Sequence, residues 1–207
     1  MNASRKQLSP GNGVAGGFSL LELLIVLALL IVLTVMMDSN FSVSSRNRAL
    51  AGCRKNLQTI YLALSIYEND NNGAYPFLKD AATSAGPLSL LVPKCTTVTE
   101  IFICPGSKDQ PLPEAESFAG RKISYAYYMG RTTNDDAGAM IASDAQVNAA
   151  PKSKGQQIFS EDGRKPGNNH GKEGGNLLSR GGEVTGSGPR ASGDVRYPPG
   201  VRLLNPE

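Results

Sequence analysis

The chain has 207 residues, enough for one soluble domain of modest size once its N-terminal apolar segment is set aside. Its 21 basic and 18 acidic side chains leave a net charge of +3. This balance indicates no broad electrostatic surface for nucleic acid, so we expect no nucleic-acid partner. The 23 glycines, the 13 prolines and the absence of tryptophan predict a small core and a loop-rich C-terminal region.

An apolar run follows a short basic leader at the N-terminus. Residues 1–17 contain Arg5 and Lys6 but no acid, and residues 18–37 carry no charge except that of Glu22. A helix of this length can span a bilayer core, and a basic leader favours the cytoplasmic side. We therefore predict a leader at 1–17, a transmembrane helix at 18–37 and one periplasmic domain at 38–207.

Two other interpretations of this segment have less support. An ordinary secretory signal has an apolar region of about 7–15 residues and then a small-x-small cleavage site. Here the run is longer and passes into Met36, Met37 and Asp38. In an uncleaved signal anchor, the Glu22 side chain would have to extend to the membrane interface to keep its carboxylate hydrated. A carboxylate in an apolar helix is costly without a partner, which favours an interpretation that gives Glu22 one.

A short motif at the start of the run resembles a known processing signal. It reads Gly17-Phe18-Ser19-Leu20-Leu21-Glu22, and it is similar to the prepilin cleavage and methylation motif of type IV pilins and type II secretion pseudopilins. The resemblance implies cleavage between Gly17 and Phe18 by a prepilin peptidase, N-methylation of Phe18, and a role for Glu22 in placing an incoming subunit. The new ammonium at Phe18 could be neutralised by Glu22 of a neighbouring copy.

The next predicted element is an amphipathic helix at residues 49–67 that continues the apolar run. Its apolar residues recur at spacings of three and four, which indicates one buried stripe: Leu50, Cys53, Leu57, Ile60, Tyr61, Leu64 and Tyr67. The polar segment at 68–73 ends in Gly73, and Pro76 follows. Short polar residues, glycine and proline together predict that the helix ends there.

Residues 53–76 resemble a segment of G-type pseudopilin-like proteins, and further similarity occurs at 102–106, 123–128, 169–171 and 174–178. The resemblance implies an α+β fold: a long N-terminal helix with a membrane-spanning first half, packed on a small antiparallel sheet, with a loop-rich C-terminal region. The candidate strands are residues 101–103, 123–128, 157–159 and 176–178.

The three cysteines lack the spacing typical of a zinc site, so we expect no zinc site in this chain. In an oxidising periplasm, a disulfide between Cys95 and Cys104 would close a small loop, and Cys53 with Cys104 is the competing pairing. One cysteine stays unpaired in either case. Buried free thiols are the alternative to any disulfide.

His170 is the only histidine, and no nucleophile or acid stands at a spacing typical of a catalytic pair. We expect a surface or turn histidine, no catalytic residue and no enzymatic activity. The resembled family has a C-terminal pattern of His, nine residues, then Asp-Gly. This pattern falls on His170, Arg180 and Gly181, so Arg180 occupies the place of the acid.

The major pseudopilins that this chain resembles often bind calcium in a C-terminal loop. Acids that could ligate Ca²⁺ here are Asp135, Asp136, Asp144, Glu161 and Asp162, but they lack the spacing of an EF-hand loop. We expect them to be solvated loop acids, and we assign no metal ligand and no cofactor.

The sequence as a whole predicts a structural subunit of a periplasmic pseudopilus in a type II secretion-like system. The implied partners are the prepilin peptidase, other pilin-like subunits in a homo-oligomeric filament, an inner-membrane platform protein and a motor ATPase. The implied location is the inner membrane, as a single-pass precursor, and then the periplasmic filament. A type IV pilus subunit for adhesion, motility or DNA uptake is the closest alternative. A membrane-anchored periplasmic enzyme or binding domain is an alternative of another class.

Overall fold

The computed structural model describes residues 17–206, without the side chains of residues 35–44. The predicted leader, apart from Gly17, lies outside the described residues. The first helix of the chain, α1, spans Leu20–Asp70. Contacts divide the chain into two compact units, Met1–Val43 and Ser44–Glu207.

The fold is broadly α+β, but the prediction that the first half of α1 spans a membrane is wrong. Within the residues that the structure describes, no helix has both the length and the apolar character to cross a bilayer.

The part of α1 in the second unit carries the predicted apolar stripe. Cys53, Leu57, Ile60 and Leu64 are completely buried, as their helical spacing predicts. The helix then ends where the sequence indicates, at Asp70. There the N–H of Gly73 donates to the carbonyl of Glu68, and Gly73 adopts a φ of 81°, a left-handed conformation that glycine adopts without strain.

Five antiparallel strands form the sheet of the second unit, in the spatial order β4-β3-β2-β1-β5. The strands are β1 (Tyr125–Met129), β2 (Met140–Asp144), β3 (Gly175–Ser179), β4 (Val184–Ser187) and β5 (Arg202–Leu204). Two short helical segments precede them, α2 (Ala85–Ser89) and a 3₁₀ helix at Thr99–Phe102.

Both faces of the sheet are covered. Tyr125 and Tyr127 of β1 lie in the core cluster that contains the buried stripe of α1. Ala126 and Tyr128 lie in a second cluster, with Phe159 and other residues from the long C-terminal connections. Because side chains alternate along a strand, β1 serves both clusters and is buried along its whole length.

Two of the four predicted strands are confirmed. Residues 123–128 overlap β1, and residues 176–178 lie inside β3. The prediction at 101–103 is wrong, because Ile101 and Phe102 enter the core side by side from the 3₁₀ helix. The prediction at 157–159 is also wrong, because Gln157 forms only an isolated bridge with Arg190.

Candidate functional site

The first unit presents a continuous apolar surface. From Phe18 to Leu33 every large apolar side chain is exposed, with relative exposures from 48% at Val26 to 85% at Phe18. Monomeric soluble proteins rarely leave an apolar patch of this extent uncovered, and such patches mark interaction surfaces. This segment is therefore the candidate assembly surface.

The predicted processing residues lie at the start of this surface. Gly17 and Phe18 precede the first turn of α1, and both are exposed. The N–H of Glu22 donates to the hydroxyl of Ser19 over 3.1 Å, so Ser19 satisfies a free amide at the helix start. The Glu22 carboxylate is exposed in the first turn, where it is favourably placed toward the positive end of the helix dipole.

A second candidate site lies inside the second unit, where four side chains from four separate parts of the chain meet. The four are Cys53 of α1, Cys104 after the 3₁₀ helix, Asp144 at the end of β2 and His170 in a turn. All four are buried, and their sulfur, nitrogen and oxygen ligand atoms lie within 4.8 Å of one another. We call these residues the CDH cluster.

The cysteine pairing within this cluster corrects one prediction. Cys53 and Cys104 form the disulfide, with their Cα atoms 5.3 Å apart, and Cys95 is a free thiol. The predicted Cys95–Cys104 pairing is therefore wrong, and the competing pairing is the one present. The local reason is that Asn56, one turn after Cys53 on α1, donates to the carbonyl of Ile103 over 2.9 Å. This bond holds the Cys104 segment against the helix.

Asp144 is the most densely bonded member of the CDH cluster. One carboxylate oxygen accepts from the amide of Asn169 at 3.1 Å. The other accepts from the backbone N–H of Asn176 at 2.7 Å and from its side-chain amide at 3.0 Å. A buried carboxylate is costly unless its lone pairs are satisfied, and these bonds meet that need. Burial and the nearby Asp144 carboxylate raise the pKa of the Tyr125 phenol, so this neighbour stays protonated.

His170 connects the disulfide to Asp144. Its Nε2 lies 3.2 Å from a carboxylate oxygen of Asp144 and 3.5 Å from Sγ of Cys104. Its Nδ1 is buried and has no hydrogen-bond partner among the described residues. The expectation of a turn histidine is confirmed, but His170 is buried rather than on the surface.

An open cleft of about 450 Å³ reaches the CDH cluster at His170. Its lining includes Gly106, Asn169 and His170, and the Arg46–Glu173 ion pair lies beside it. The backbone N–H of Gly106 also donates to Sγ of Cys104 over 3.3 Å. Two segments singled out in the sequence, at 102–106 and 169–171, therefore meet at this cleft.

Arg180 does not complete a pair with His170. It lies in the turn between β3 and β4, where its backbone N–H donates to Ala139 and its guanidinium donates to the carbonyl of Asp136. The acid beside His170 is Asp144, which the sequence pattern did not indicate. No local spacing signals this pair, because the two residues are brought together only by the fold.

The acids considered for calcium do not converge in the described part of the chain. Asp144 belongs to the buried CDH cluster, and the others bond to separate partners: Asp135 to Arg131 and the N–H of Thr132, Asp136 to the N–H of Gly138, Glu161 to Arg190, and Asp162 to Ser160 and the N–H of Arg164. Over residues 17–206, outside the side chains of 35–44, the CDH cluster is the one group of three or more such ligands.

In comparisons with known proteins, no protein-family model, no curated protein and no solved structure matches the chain. The likeness to pilins accordingly depends on the quoted motifs alone. The structure brings Gly17, Phe18 and Glu22 together at the start of α1, and it brings Cys104 and His170 together in the CDH cluster. Cys95 and Arg180 belong to neither site.

Proposed function

We propose that this chain is a non-enzymatic structural subunit of a filament, a periplasmic pseudopilus of a type II secretion-like system. The subunit assembles after cleavage between Gly17 and Phe18 and N-methylation of Phe18. The observation that carries the proposal is the exposed apolar surface from Phe18 to Leu33. Further copies of the same segment are the partner that would cover it.

The division of the chain supports this role. The unit Ser44–Glu207 has two buried clusters of its own. The apolar segment before it has no comparable burial, since its large side chains are all at least 48% exposed. A subunit that folds one part by itself and leaves another for association has this distribution of apolar surface.

Glu22 gives the association a register. Cleavage creates an ammonium at Phe18, four residues before Glu22 in the sequence. Inside a bundle of apolar helices this charge is costly unless a carboxylate pairs with it. Glu22 of a neighbouring copy supplies that carboxylate, and the pairing fixes how far one copy is displaced along the next.

The disulfide supports an extracytoplasmic location, because disulfides persist in oxidising compartments such as the periplasm. The prepilin peptidase, a platform protein, a motor ATPase and other pilin-like subunits are the partners that the motif implies.

The test is filament formation by charge variants of the full chain, produced in cells that contain the assembly system. Glu22→Ala should be cleaved normally but give several-fold fewer sheared filaments, because the Phe18 ammonium loses its partner. Glu116→Ala removes another exposed acid, one that belongs to the second unit, and should assemble like the wild type. Wild-type filament yield from the Glu22 variant alone would refute the docking role. Absence of any filament from the wild-type chain would refute the proposed function.

A further inference from the structure

We propose that the CDH cluster is a redox-gated zinc site: when the Cys53–Cys104 disulfide is reduced, the four side chains bind one Zn²⁺. This inference does not depend on the filament proposal. It concerns the interior of the second unit and none of the residues at the assembly surface.

The ligand types suit zinc. Zn²⁺ in proteins takes four ligands in a tetrahedron, drawn from cysteine thiolates, histidine nitrogens and carboxylate oxygens. The CDH cluster offers two sulfurs, one imidazole nitrogen and one carboxylate oxygen, which is one ligand from each of four residues. Thiolates select Zn²⁺ over Mg²⁺ and Ca²⁺, which prefer oxygen.

The interatomic distances also suit a tetrahedral site. Zn–S bonds of about 2.3 Å and Zn–N and Zn–O bonds of about 2.0–2.1 Å give tetrahedral edges of about 3.5 Å from S to N and about 3.3 Å from N to O. The corresponding separations are 3.5 Å between Cys104 and His170, and 3.2 Å between His170 and Asp144. All the ligand atoms lie within 4.8 Å of one another, and the two sulfurs, which are bonded to each other, must separate to about 3.7 Å.

Neighbouring groups orient the ligands as they do in metal sites. Asn169 and Asn176 hold the Asp144 carboxylate through three hydrogen bonds, and such supporting bonds tune metal affinity. The N–H of Gly106 points at Sγ of Cys104 and would stabilise it as a thiolate. The cleft at His170 provides an entry path for the ion.

The chemical change is a two-electron reduction followed by an exchange of protons for the metal. A dithiol reductant attacks the disulfide and becomes a disulfide itself, and it leaves Cys53 and Cys104 as two thiols. Zn²⁺ then binds both sulfurs as thiolates and releases their two protons. Nε2 of His170 gives up its contact with Asp144, and its proton is replaced on the ring by one at Nδ1, the buried nitrogen without a hydrogen-bond partner among the described residues. Nε2 and the Asp144 oxygen then become ligands of the ion between them. In the reverse direction, a disulfide oxidant accepts two electrons from the two thiolates and becomes a dithiol, which re-forms the Cys53–Cys104 disulfide and releases the zinc.

Zinc binding is measured on the full chain in its oxidised form and after reduction by a phosphine, which does not compete for zinc as a dithiol does. Unbound metal is removed by gel filtration, and bound zinc is counted by elemental analysis. Co²⁺ serves as a spectroscopic probe, because thiolate ligands give a charge-transfer band. The ligand variants are Asp144→Asn and His170→Gln, and the control is Cys95→Ser, which removes the cysteine outside the cluster.

The reduced wild-type chain and reduced Cys95→Ser should each bind about one Zn²⁺ and release about two protons. The oxidised chain should bind none at this site, and each ligand variant should bind at least about tenfold more weakly. The proposal is overturned if the reduced wild-type chain binds no zinc, whether or not it stays folded. It is also overturned if both ligand variants bind as tightly as the wild type, or if the oxidised chain binds equally well.

Discussion

Gly106 packs directly against His170. A Cβ atom added at position 106 would lie 2.9 Å from Nδ1 of His170 and 2.6 Å from the carbonyl oxygen of Asn169. Both contacts are closer than a carbon atom tolerates. The two loops that carry Cys104 and His170 therefore approach each other as closely as they do because residue 106 has no side chain.

Gly106→Ala should lower the free energy of unfolding by about 1–3 kcal/mol, because the new methyl group must push the two loops apart. Urea unfolding of the oxidised chain measures the change. Gly120→Ala is the matched control, since nothing lies within 4 Å of its added Cβ. Equal stabilities of the two variants would contradict the close packing at Gly106.

Asp144→Ala should destabilise the chain by about 3 kcal/mol, because it strips buried donors on Asn169 and Asn176 of their acceptor. The comparison variant is Asp136→Ala, in an exposed turn, where an effect within about 1 kcal/mol is expected. The denaturant midpoints of the two variants, each compared with that of the wild type, measure the two losses of stability. If the Asp144 variant loses no more than the control, the carboxylate is not the centre of this network.

Replacing both Cys53 and Cys104 by alanine should cost about 4 kcal/mol, on the chain-entropy estimate for a sequence separation of 51. Cys95→Ser should change stability far less, because Cys95 is unpaired and half-buried. Unfolding is followed by circular dichroism without reductant. A larger loss from Cys95→Ser than from the double variant would indicate that Cys95 is the bonded partner.

Alkylation of the native oxidised chain should add one label, on Cys95, and denaturation with reduction should raise the number to three. Burial raises the pKa of the Cys95 thiol. Since the thiolate is the reactive form, labelling should be slower in the folded chain than in the denatured chain and should accelerate as the pH rises. Intact mass measured over time checks both the count and the rate. Two rapid labels on the folded chain would contradict the assigned pairing.

The mature chain should begin at Phe18. A bulky residue at Gly17, such as Gly17→Val, should leave a precursor longer by the 17-residue leader. Gly13→Ala, a change elsewhere in the leader, should be processed normally. N-terminal sequencing of the purified protein gives the answer. A chain that still begins at Met1 in the wild type would remove the basis for the processing motif.

Elements defined by local pattern could be predicted from the sequence. The stripe at Cys53, Leu57, Ile60 and Leu64 follows from helical spacing, and the end of α1 follows from the polar segment before Gly73. Strands β1 and β3 are predictable because they contain aromatic or aliphatic residues in sequence. Strands β2 and β4 contain small or polar residues, and β5 has only three residues. Pairing with neighbouring strands stabilises all three, and this tertiary effect leaves no local signal in the sequence.

The CDH cluster could not be predicted for the same reason. The sequence draws attention to Cys104 and to His170, but 66 positions separate them, and nothing in the sequence distinguishes Asp144 from the other candidate acids. The choice between Cys53 and Cys95 as the partner of Cys104 depends on where the chain between residues 95 and 104 turns. That path is set by packing of Ile101 and Phe102 into the core, and cysteine spacing carries no information about it.

The Cys53–Cys104 bond also determines how the chain bears tension. A pull applied at the N-terminal side of α1 and opposed from β1 onward passes from Cys53 to Cys104 through the two sulfurs. The intervening segment carries none of that load. With a separation of 51 positions, drawing out this loop would otherwise lengthen the chain by roughly 170 Å. Under such tension, α2 and the 3₁₀ helix therefore bear no load until a covalent bond breaks.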